Sequence, residues 1–165
     1  MGIVKIVKLV LISAVILFLL ITALSLLLPS HVRVSRAIDI PAPKEKIIPL
    51  IADLQQWSKW NRFVIVADSM HQLAQKTSTT IQAGDLQIEL QNSRGDTVVT
   101  SWMQNKNESG AHMVCLAGQG YTTVQWYFDF HLKWYPWLKF QSIVYDKQFG
   151  PEMESSLENI RRIVE

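Results

Sequence analysis

The sequence predicts an α+β domain, an antiparallel sheet closed by a long C-terminal helix, preceded by one N-terminal transmembrane helix. Three patterns predict this. Leu9 to Leu28 is an uncharged apolar run, interrupted only by Ser13, Thr22 and Ser25, and is long enough to cross a bilayer as a helix. From Met70 to Trp134 apolar and polar residues alternate between turn signals, as they do in half-buried strands. Near the C-terminus Met153, Leu157, Ile160 and Val164 recur at the spacing of an amphipathic helix.

Composition narrows the class. With 48% hydrophobic residues, 18% charged residues and a single cysteine in 165 residues, disordered, collagen-like and disulfide-scaffold chains are excluded. Two of the sixteen basic residues, Lys5 and Lys8, lie in the first thirty, which carry no acid. The remaining 135 balance fourteen basic against fourteen acidic residues. No basic excess is left to neutralise phosphates, which argues against a nucleic-acid partner.

The apolar run exceeds the about 7–15 residues of a cleavable signal core. It ends in LLLPSHV, with leucines where a signal peptidase requires small side chains, and no cysteine follows for a lipid anchor. Expected, therefore, are a short cytoplasmic tail at 1–8, an uncleaved signal anchor at 9–28 and one domain at 32–165. Lys5 and Lys8 on the short tail favour an extracytoplasmic domain on a single-pass cell-membrane protein.

Within the domain, Val32, Val34, Ile38 and Ile40 alternate with polar neighbours and predict the first strand, which Pro41 ends. Pro43 suits the start of a helix carrying Ile47, Leu50, Ile51 and Leu54, with a kink expected at Pro49. Trp57 and Trp60 predict a second short helical turn with both indoles on one side. Turns are expected at AGD (83–85), RGD (94–96) and NESG (107–110). Leu86, Ile88 and Leu90 share one face of a strand. Val124, Trp126, Phe128, Phe130, Leu132 and Trp134 form an apolar row opposite Gln125, Tyr127, Asp129, His131 and Lys133. Gly150-Pro151 is read as the opening of the final helix.

Three segments carry a family likeness. VSRAIDIPAPKEKIIPLIADLQQWSKWNRF, YTTVQWYFDF and FGPEMESSLENIRRIVE resemble the opening strand with its first helices, a late strand and the closing helix of the START-like, or SRPBCC, superfamily. This helix-grip group includes polyketide cyclase-like proteins, with membrane-anchored bacterial members. The resemblance implies a curved antiparallel sheet wrapped around the long C-terminal helix, with an apolar cavity between them. Leu90, Trp102, Trp126, Phe128, Phe130, Met153 and Leu157 are the expected lining.

Arg36 interrupts the apolar row of the first strand, where an unpaired charge is costly. It is read either as a guanidinium at the cavity mouth holding a ligand anion, or as an edge arginine paired with a protein carboxylate. Cys115 and His112 fall on opposite faces of one strand, which reads as an inert thiol. Asp129 and His131 share a polar face and read as a surface pair. The four histidines lack metal-ligand spacing, and no cofactor or catalytic set is indicated. Trp134, Tyr135 and Trp137 read as packing or as an interfacial patch. Asn107-Glu108-Ser109 fits a glycosylation sequon. The leading expectation is a membrane-anchored binder of a hydrophobic small molecule or lipid. The alternatives are a cyclase or dehydratase-like enzyme and a tethered sensing or protein-interaction module without a ligand.

Overall fold

In a computed structural model describing residues 2–104 and 107–165, the strands are β1 (His31–Ile40), β2 (Leu73–Lys76), β3 (Thr80–Ala83), β4 (Leu86–Arg94), β5 (Thr97–Gln104), β6 (Asn107–Ala117) and β7 (Thr122–His131). They form one antiparallel sheet in the order β1-β7-β6-β5-β4-β3-β2. The helices are α1 (Ile3–Leu26), α2 (Lys44–Ala52), α3 (Arg62–Ser69), α4 (Pro136–Ser142) and α5 (Tyr145–Val164), with a 3₁₀ turn at Leu54–Lys59. The chain folds as two compact units. One runs to Val32 and takes in His131–Val144; the other comprises Arg33–Phe130 and Tyr145–Glu165.

The larger unit is a helix-grip arrangement. The inner face of its sheet packs on α5 and the short helices. Val124, Trp126 and Phe128 of β7 and Ala111, Met113 and Cys115 of β6 are buried, while the residues that alternate with them are more exposed. Val34 and Ile40 bury the inner face of β1, and Met153, Leu157 and Ile160 bury the expected stripe of α5. Gly84 and Gly95 adopt positive φ in the two tight turns expected at AGD and RGD, a backbone region that side chains disfavour.

Several expectations shift. NESG is not a turn: Asn107 to Gly110 pair with Gln104 to Ser101 as the start of β6. β7 ends at His131, so Leu132 and Trp134 do not extend its apolar row. Helix α2 continues through Pro49 to Ala52, and Pro43 is its N-cap residue. Helix α5 starts at Tyr145 and carries Pro151 in its interior. Helix α3 has no counterpart in the sequence reading, because Val64, Ile65 and Val66 are β-branched and disfavour a helix. It forms because Asn61 Oδ1 accepts the amides of Phe63 (3.1 Å) and Val64 (3.3 Å), satisfying two of the four unpaired N–H groups at a helix start.

In the smaller unit, α1 has 24 residues, a mean hydropathy of 2.9 in its most apolar window, and side chains that are almost all exposed. At 1.5 Å per residue it is about 36 Å long, long and apolar enough to cross a membrane. Helix α4 lies against its C-terminal end, where Lys139 Nζ donates to Leu28 O (3.2 Å).

Candidate functional site

The interior between the sheet and α5 is occupied by aromatic side chains. Trp102, Trp126 and Phe128 are buried, with ring centroids 4.9 Å apart for Trp102–Phe128, 5.3 Å for Trp126–Phe128 and 6.2 Å for Trp102–Trp126. Trp57 and Trp60 close one side at 5.0 Å from each other and are fully buried. Their indole nitrogens donate to Ile51 O and Leu50 O, 3.0 Å each, which makes them core residues. Phe130 stacks on Phe128 and meets Phe149 of α5 at 5.0 Å. Met153 and Leu157 are buried in the same cluster, with Leu90 packed at its margin.

Beside this cluster, a cleft of about 500 Å³ opens between α3, the β3–β4 turn and the N-terminal half of α5. Phe63, Val66, Ala67, Ala83 and Leu86 make its apolar part, and Arg62, Gln72, Asp85, Gln104, Gln148 and Glu152 its polar rim. Arg62 and Glu152 face each other at 3.4 Å. None of the seven apolar residues expected to line a cavity lines this cleft.

Phe63 belongs to both regions. It lines the cleft, and its ring stands edge-on to Trp102 (5.4 Å), Trp126 (6.1 Å) and Phe128 (6.2 Å). Three side chains hold the backbone around it. Asn61 caps its helix, Ser156 Oγ of α5 accepts the amide of Arg62 (2.8 Å), and Asn159 Nδ2 donates to Trp60 O (3.0 Å). Behind it, Trp126 Nε1 is buried and has no acceptor among the described residues. Leaving a buried donor unpaired costs about 1–3 kcal/mol. The neighbouring Trp102 Nε1, by contrast, donates to Thr100 Oγ1 at 3.0 Å.

Arg36 is held by protein carboxylates. It donates to Glu154 (2.5 Å) and Asp146 (2.9 Å) of α5 and to the carbonyl of Ser35 (2.9 Å). Of its two sequence readings, the geometry matches the paired edge arginine, because Nε and Nη1 of the guanidinium already have oxygens. The hydrogen bond from Arg36 also holds the Asp146 carboxyl below its ordinary range. Cys115 is buried, and desolvation pushes its thiol up to about 11. His112 lies on the opposite face, stacked on Tyr127 at 4.8 Å. Asp129 is paired with Arg33 at 2.7 and 2.9 Å, and the His131 ring lies 4.7 Å from that of His31.

The cleft was not legible as a site. Its residues come from α3, the β2–β4 hairpins, β5 and α5, with no common motif. The available signal was the cap: Asn61 followed by Phe63, Val66 and Ala67 at helical spacing marks one wall.

Solved structures share this fold at low identity. A START superfamily protein from Mycobacterium smegmatis superposes with a TM-score of 0.54 and 13% identity, covering 81% of this chain and 97% of the other. A Bacillus halodurans protein gives 0.58 and 12%, covering 83% and 100%. DynU16, a protein of the dynemicin biosynthetic locus, gives 0.55 and 15% over 79% of this chain, which spans 46% of that protein. No curated protein matches the chain in sequence. At the level of family models, residues 31–165 match the one described as polyketide cyclase / dehydrase and lipid transport, and the chain therefore belongs to that family.

Proposed function

We propose that the larger unit binds an amphipathic hydrophobic small molecule or lipid in the cleft beside α3, and that α1 anchors it to a membrane. The cleft carries the reading. At about 500 Å³ it is within the range of small-molecule sites. Its apolar side, Phe63, Val66, Ala67, Ala83 and Leu86, suits a hydrocarbon or ring body. Gln72, Gln104 and Gln148 offer neutral donors and acceptors to a polar head at the rim. Family membership supports a binding domain of this kind.

Phe63 is the partition of this site. If its ring turns aside, Trp102, Trp126 and Phe128 become lining, followed by Phe130, Met153, Leu157 and Leu90. The unpaired Trp126 N–H is then a free donor for a ligand oxygen. Arg36 stays outside, tying β1 to α5. The apolar length of α1, with Lys5 and Lys8 near its start, supports a short tail inside and the domain outside the cytoplasm.

Native mass spectrometry of the full chain released from detergent, with organic extraction of the same preparation, tests the reading. One apolar molecule per wild-type chain is expected. It should be lost in Val66→Trp, which fills the cleft from a half-buried position while circular dichroism stays unchanged. Equal occupancy in both proteins, or an empty wild-type chain after exposure to total lipid extract, would contradict it.

A further inference from the structure

We infer that α4 is an interfacial helix, held at the end of α1 so that Trp134, Trp137, Phe140 and Ile143 enter the headgroup layer of the bilayer that α1 crosses. The inference rests on the reading of α1 as a membrane span. Helix α4 is inverted. The residues α4 buries are Pro136, Lys139 and Ser142, at i, i+3 and i+6. Its exposed face carries Trp137 (60% exposed) and Phe140, continued by Ile143 (62%) and preceded by Trp134 (67%). A helix facing water shows the opposite arrangement, with its apolar stripe inward.

The contact with α1 places that face. The inward face of α4 is turned to the C-terminal end of α1 within the same compact unit. There Lys139, 6% exposed, donates from Nζ to the carbonyl of Leu28, just past the helix end. Terminal carbonyls lack intrahelical donors, and a cation there also complements the helix dipole. A span about 36 Å long reaches just beyond a hydrocarbon core of about 30 Å, so Leu28 and the helix pinned to it lie at the headgroup level. Indoles are enriched at that level, where an apolar ring and an N–H are both accommodated. The occupant of the exposed face is therefore lipid, in the leaflet at the C-terminal end of α1.

The protein's own tryptophans read this out. Helix α1 contains none, and Trp57, Trp60, Trp102 and Trp126 are buried, leaving Trp134 and Trp137 for lipid to reach. The full chain is reconstituted in phosphatidylcholine–phosphatidylglycerol vesicles with lipids brominated either near the carbonyl or at the chain end. Expected is fluorescence quenching by the shallow label in wild type, lost in Trp134→Phe/Trp137→Phe with unchanged circular dichroism. Equal quenching of both proteins overturns the inference. So does an unquenched wild type whose emission instead depends on protein density, the signature of a second copy covering the face. Alkaline carbonate extraction separates the two failures. A chain retained in the vesicles without the double variant's loss of quenching keeps the span and removes the interfacial helix; a released chain removes both.

Discussion

Arg36 and Gly150 form a lock between β1 and α5 that neither residue announces. The guanidinium lies so close over Gly150 that a Cβ there would collide with Nη2, and Asp146 and Glu154 hold it from either side. Glycine at a buried mid-helix position is normally a cost of about 1 kcal/mol relative to alanine. Here it is the condition for the ion pairs. Gly150→Ala should therefore destabilise the domain by about 1–3 kcal/mol, the usual range for overpacking, against the propensity gain. Urea unfolding followed by circular dichroism measures this, and a midpoint at or above that of wild type would show that Arg36 moves aside freely. The sequence exposed the problem, a charge in an apolar row, and both of its solutions. Only the approach of α5 chose the carboxylates.

At the scale of elements, the strands were legible because period-two alternation survives wherever one face is wet. β6 and β7 follow it almost residue by residue. Helix α3 was not legible, since local propensity and tertiary demand disagree along Val64–Val66 and the cap decides. Asn61→Ala should cost about 1 kcal/mol, while Asn61→Ser should retain most of the stability, because a hydroxyl can accept the same amides. Thermal unfolding of the two variants side by side is the measurement; equal losses would assign the role of Asn61 to packing instead of capping. The start of α5 was misplaced for a related reason. Proline most often sits in a helix's first turn, so Gly150-Pro151 read as a beginning, whereas Tyr145 and Phe149 extend the helix backwards by packing on Phe130. Helix α4 shows the reverse case, its apolar face turned outward.

At the scale of the whole molecule, stability and the proposed binding meet at Phe63. Its ring joins the cleft to the aromatic interior, touching Trp102, Trp126, Phe128 and Phe149. Phe63→Ala should lower stability by about 3 kcal/mol, at the low end of the range for such truncations because the ring is half-buried. The same change should enlarge the cleft and admit a bulkier apolar ligand. Unfolding and ligand extraction on one preparation would show both effects, and a destabilised variant with an unchanged ligand profile would confine Phe63 to the core. The fold class, the order of most elements, the membrane-length helix and the buried faces of β1, β6, β7 and α5 were determined by the sequence alone, because periodicity and turn chemistry are local properties written in consecutive residues. The filled aromatic interior, the cleft at the edge beside α3, and the pairing of Arg36 were decided by tertiary structure. Those depend on which side chains from distant segments reach the same volume first, and periodicity assigns a residue to a face without saying whether the space beyond that face is occupied.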